Sequence, residues 1–208
     1  MLIRQSAEDV LAIQANYAER GLSMAQVAMA GSNNFVEFRH YPKNDLVDLD
    51  SGYEMYYHSH SLNQKKKYKN LECGHFHLFK RDKFVSDQFT HLIAISIDVR
   101  GLPIRLFTTN GWVTGEVMKD VNVLKPLLDN FQMKVKGPMS PLARWINGLM
   151  FIFQSEILAV LKARDQKINK MIFKNKTRVE VLGDRRHHVL SEVEINFLRK
   201  MESLVKLD

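Results

Sequence analysis

The spacing of apolar positions changes twice along the chain and divides it into a helical part, a strand-rich part and a second helical part. Ser6, with Asp9 three residues on, marks a helix start, and Gly21 stands where a left-handed cap ends it. Ser23 with Gln26 repeats the start, and Gly31 repeats the stop. Val10, Leu11, Tyr17, Met24, Val27 and Ala28 give this helical pair its apolar faces.

From Phe35 the period shortens. Phe35-Val36-Glu37-Phe38-Arg39 reads as a strand, residues 42–52 as an acidic loop, and Tyr53 to His60 as an aromatic-rich strand. Gly74 to Lys80 is another strand, and His91 to Val99 is apolar or small on both faces, as a central strand would be. Asn110-Gly111, between Ile104 to Thr109 and Trp112-Val113-Thr114, predicts a type I′ hairpin, since both residues tolerate positive φ. Connections this short exclude most parallel crossovers and predict an antiparallel meander.

After Glu116 helical spacing returns. Leu124, Leu127, Leu128 and Phe131 share one face, with Pro126 expected in the first turn. Ser140-Pro141 opens a long helix through Trp145, Leu149, Phe153, Ile157 and Leu161. Ser191 with Glu194 opens a last helix striped by Val193, Phe197, Leu198, Met201, Leu204 and Val205. The expectation is one α+β domain over residues 1–208: 1–31 helical, 35–116 a largely antiparallel meander sheet, 118–208 mainly helical.

The strand assignment gives the histidines their interest. His58-Ser59-His60 and His75-Phe76-His77 each place two imidazoles on one face of a strand, about 7 Å apart. On neighbouring strands the four converge, and His91 on the next strand is a fifth candidate metal ligand. The same parity adds Glu54 and Tyr56 beside His58, and Cys73 beside His75, unless a bulge at Gly74 substitutes Glu72 for Cys73. Neutral imidazole suits a transition ion, here zinc or iron. Without a metal, the same residues would form a hydrogen-bonded patch or a pocket for acid and base work. Arg105, Asn110, Trp112 and Glu116, together with neighbouring threonines, are candidates for a binding wall. The His-x-His spacing resembles the first motif of the cupin barrels. No Glu follows His77 at the cupin interval, since Phe79, Lys80, Arg81 and Asp82 stand there, and that family is not assigned.

Composition narrows the setting. A chain of 208 residues, 45% of them hydrophobic, can bury a core without staples, and one cysteine excludes a disulfide framework and an all-cysteine zinc site. A reducing cytoplasmic location follows as an expectation, because the N-terminus lacks an apolar signal core and carries Glu8 and Asp9. No transmembrane segment is expected: the most apolar stretch, Trp145 to Leu161, is short and holds Asn147, Gln154, Ser155 and Glu156. The net charge of +7 points toward a polyanionic partner. Lys65, Lys66 and Lys67 form a candidate anion-binding loop between the two His-x-His strands, and a second basic run follows Lys162. No nucleic-acid-binding motif accompanies them, and a solvated face is the simpler reading.

Tyr56-Tyr57-His58-Ser59-His60, Gly74-His75-Phe76-His77-Leu78-Phe79, Thr90-His91-Leu92 and the run from Gly101 through Arg105-Leu106-Phe107-Thr108-Thr109-Asn110-Gly111-Trp112-Val113-Thr114-Gly115-Glu116 together resemble the core of an uncharacterised bacterial family of unknown function. The resemblance implies a bacterial, non-secreted protein and supplies no activity. Two function classes remain. One is a metal site oxidising or hydrolysing a small-molecule ligand. The other is a non-enzymatic basic module for nucleic acid or a protein partner.

Overall fold

The computed structural model describes residues 2–32, 34–59, 72–85, 87–174 and 176–206. The chain opens with α1 (Leu2–Glu19) and α2 (Met24–Ala28), then runs through β1 (Tyr41–Val47), β2 (Tyr53–His58), β3 (Glu72–Arg81), β4 (Phe89–Asp98) and β5 (Pro103–Thr109). It continues with α3 (Gly111–Thr114), α4 (Val121–Asp129), α5 (Ser140–Ile152), α6 (Gln154–Phe173), α7 (Arg178–Leu182), β6 (Val189–Glu194) and α8 (Phe197–Val205). The six strands lie side by side in chain order and every neighbouring pair is antiparallel. The fold class is α+β, with helices from both ends of the chain.

Alternation along the strands sends two sets of side chains to opposite faces. Met55 and Tyr57 of β2, Phe76 and Leu78 of β3, Ile93, Ile95 and Ile97 of β4 and Leu106 of β5 join Trp145, Ile146 and Leu149 of α5 in the main core. Phe76 meets the Trp145 ring at 5.6 Å. Burying each large apolar side chain contributes roughly 1.5–3 kcal/mol. The opposite face carries the histidines.

Several local expectations are corrected. Residues 35–39 form no strand: Phe38 sits at φ +62°, which breaks an extended run, and the Val36 N–H donates to the Tyr41 hydroxyl at 2.7 Å. The first strand is instead β1, inside the segment read as acidic loop. Its Tyr41 and Leu46 reach the core through an irregular register that includes Asp45 at φ +52°.

Asn110-Gly111 makes no hairpin. Asn110 caps α3, its side chain accepting from the Gly111 N–H, while its amide nitrogen donates to the Val181 and Asp184 carbonyls. The second partner of β5 is therefore β6, from far along the chain. Ser191 lies in that strand, hydroxyl to hydroxyl with Thr108 at 2.6 Å, and the last helix starts only after its cap Asn196.

The helix after Ser140 is two helices, α5 and α6, bent by 70° at the buried Phe153 so that both flanks reach the core. Pro126 lies inside α4 rather than in its first turn and removes one interior N–H donor. No single described helix is long and apolar enough to cross a membrane.

Candidate metal centre

Two register shifts in β3 and β4 build the site. Glu72 pairs with Asp98 and Gly74 with Ile97, so Cys73 is an extra residue in the bulge. The shift turns Cys73 toward the core side, where the Tyr57 hydroxyl approaches its carbonyl at 3.3 Å and its Sγ at 3.8 Å. Glu72 takes the place beside the histidines. Further along, Leu78 pairs with Ile93 but Phe79 pairs with His91, leaving Leu92 as the extra residue, buried in the apolar core. Regular alternation would put His91 on the face of Ile93 and Ile95; the bulge returns it to the histidine face.

His58, His75 and His77 each present a ring nitrogen, and these three atoms lie within 4.8 Å of one another. Their outer connections set the tautomers. Glu72 Oε1 stands 2.7 Å from His75 Nδ1, and an ionised carboxylate only accepts, so that nitrogen carries the proton and Nε2 offers a lone pair. His58 Nε2 then donates to His75 Nε2 at 2.7 Å. His77 Nδ1 stands 3.0 Å from His91 Nε2. With His77 as the donor across that contact, its lone pair falls on Nε2.

Electrostatics keep His77 and His91 neutral, the form that ligates metals. Burial, reinforced by the charges of His75, His91 and His58, drives His77 well below the ordinary imidazole range. Burial and the Arg164 guanidinium bring His91 down to about 3. Burial pushes Glu72 upward, but the His75 hydrogen bond and the Arg105 charge outweigh it and hold the carboxyl below its usual range. Arg105 itself is buried over the Phe107 ring, donating to Glu72 at 2.7 Å, Glu192 at 2.6 Å and Ser96 at 3.2 Å.

The remaining predicted residues divide. Tyr56 lines the cluster, 5.2 Å from the His77 ring and 5.4 Å from that of His58, and burial with the Asp45 and Glu54 charges pushes its phenol upward. Glu54 turns to Arg81, which donates to both carboxylate oxygens. Glu116 lies behind the cluster, accepting from the His91 backbone N–H at 2.8 Å, and burial raises it to about 7 against the pull of that N–H and of Arg164. Asn110 and Trp112 face the 181–188 segment; the Trp112 indole donates to the His187 carbonyl at 3.0 Å. His60 and Lys65, Lys66 and Lys67 lie outside the described residues.

The sequence reading missed His40 and Asp45. Their side chains meet at 3.0 Å, and the His40 ring stacks on Tyr56 with centroids 3.5 Å apart. His40 falls in a segment read as the junction of strand and loop, so parity offered no face for it. Ser96 and Glu192 were also missed, although each pairs in register with a β5 residue of this face, Arg105 and Phe107 respectively.

Over residues 4–195 the chain matches the family described as Domain of unknown function (DUF6969), and it belongs to that family. Neither the curated proteins nor the solved structures contain a match.

Proposed function

We propose that the sheet holds one transition-metal ion, zinc or iron, through Nε2 of His58, His75 and His77, and uses it to oxidise or hydrolyse a small molecule. The observation that carries this reading is the pairing of convergence with outer support. Three imidazole nitrogens lie within 4.8 Å of one another, while a ring nitrogen of His75 and one of His77 are bonded to Glu72 and His91. Ligating histidines characteristically have their second nitrogen held this way. Tetrahedral ligation places nitrogens about 3.3 Å apart, so an ion would replace the 2.7 Å hydrogen bond between His58 and His75 by a shift of the His58 proton from Nε2 to Nδ1 and a small outward rotation. Three protein ligands leave a coordination position for water or substrate, as catalysis needs. On this reading His91 supports His77 rather than ligating.

Untagged protein, purified without chelator and reconstituted with zinc or ferrous iron, is expected to retain about one equivalent after desalting. His77→Ala and His75→Ala are each expected to lose it. Less than about a tenth of an equivalent of either ion after reconstitution overturns the reading.

A further inference from the structure

We propose that the apex where α6 ends and α7 begins docks on an anionic lipid surface. Between Asp165 and Glu180 the chain carries Lys167, Lys170, Lys174, Lys176 and Arg178 and no acid. Nine Lys and Arg against three acids fall between residues 162 and 188; Arg164 is buried on Asp165 and Arg178 pairs with Asp120, and the other cations keep this stretch strongly basic.

Amid these cations Phe173 is 90% exposed and Val179 81% exposed. Ile168 and Val181 are buried with Leu190 and Met118, and Met171, Ile172 and Leu182 pack against that cluster. The Lys176 N–H closes on the Ile172 carbonyl, and the Lys176 ammonium on Asp184 at 3.1 Å. The apolar side chains with a place inside are inside, and Phe173 and Val179 are held out in water.

A bilayer with acidic headgroups suits both features. The cations are drawn to its negative surface, and an aromatic ring and a branched aliphatic enter the boundary between headgroups and chains. A nucleic acid would satisfy the cations and could stack on Phe173, but it offers Val179 nothing apolar. Charge and apolar exposure together therefore favour lipid. The inference is independent of the metal centre, which involves none of these residues.

The test is flotation of the full chain with vesicles of phosphatidylcholine alone and of phosphatidylcholine mixed with phosphatidylglycerol. Binding to the mixed vesicles is expected to exceed that to the neutral ones by about tenfold or more and to weaken with added salt. Phe173→Ser with Val179→Ser, which leaves every charge in place and alters only exposed side chains, is expected to reduce that binding about fivefold or more. Leu49→Ser, at another highly exposed apolar position, should leave it unchanged. Equal affinity for the two vesicle types, or no binding at low salt, overturns the proposal. So does retention on single-stranded RNA with vesicle binding insensitive to the Phe173 and Val179 substitutions, which would assign the surface to nucleic acid.

Discussion

Glu72 and His75 stand three positions apart in one strand, an odd spacing that regular alternation would send to opposite faces, yet their side chains meet at 2.7 Å. The extra residue Cys73 reverses the parity between them. The bulge thus makes a carboxylate, and not a thiol, the neighbour of the histidine cluster. Arg105 takes the other Glu72 oxygen, so a buried guanidinium orients the carboxylate that orients the imidazole.

Glu72→Gln tests that relay. The amide keeps the shape but can present its nitrogen to His75 or Arg105, and it removes the negative charge that fixes the proton on His75 Nδ1. Zinc affinity, measured by competition with a chromophoric chelator, is expected to fall about 10–100-fold, the usual effect of losing an outer partner of a ligating histidine. Unchanged affinity in a folded variant would detach Glu72 from the site.

Gly74 is required by the same bulge. A Cβ there would lie 2.4 Å from the Tyr57 hydroxyl oxygen and 2.8 Å from the His58 carbonyl. Gly74→Ala should cost about 1–3 kcal/mol, lowering the melting temperature by several degrees. Tyr57→Phe removes the nearest obstructing atom but leaves the ring Cζ at 2.7 Å, which the phenylalanine ring must tilt to relieve, and the His58 carbonyl. The double variant is expected to recover part of the stability and little of the metal affinity, since the strand carrying His58 must still move. Thermal denaturation and chelator competition on the four members of the cycle separate the two effects.

Much of this face was legible from strand parity. His58, His75 and His77 follow from period-two spacing, and β2, β3 and β4 fall close to where their apolar and aromatic residues predict them. What parity cannot reach are the places where the backbone departs from it. The bulge at Cys73 was open as an alternative because Gly74 signals one, whereas the bulge at Leu92 has no glycine to mark it. β1 was hidden because Pro42, Asn44 and Asp45 look like loop residues, although Tyr41 and Leu46 are buried on either side of them. β6 was hidden for the opposite reason: Ser191 and Glu194 imitate a helix cap. Pairing across some eighty residues leaves no mark in a local window.

Gly148 reports on the helical side of the core. On α5 it lets Val10 of α1 approach so closely that an added Cβ would stand 2.3 Å from Val10 Cγ2. Gly148→Ala should destabilise by about 1–3 kcal/mol despite the better helix propensity of alanine, because steric conflict outweighs a gain of at most about 1 kcal/mol. Val10→Ala in the same chain removes the clashing methyl. The pair is expected to couple favourably, each change being less harmful with the other present; strict additivity in denaturant unfolding would count against the contact.

Glu116 gives the fold a pH dependence whose sign is set by burial. Its carboxyl is raised to about 7 in the folded protein from an ordinary 4.5, so the folded state holds a proton that the unfolded chain has already released. The stabilisation from holding it is complete below about 4.5 and is lost as the pH rises through about 7. Glu116→Gln keeps an oxygen to accept from the His91 N–H and cannot ionise. Relative to the parent, the variant should gain more than about tenfold in its folding equilibrium constant on going from pH 5 to pH 8. Because His77 and His91 titrate alike in both proteins, the difference between their guanidinium midpoints isolates Glu116. A difference that stays flat across this range would mean that the carboxyl is ionised in the folded protein throughout.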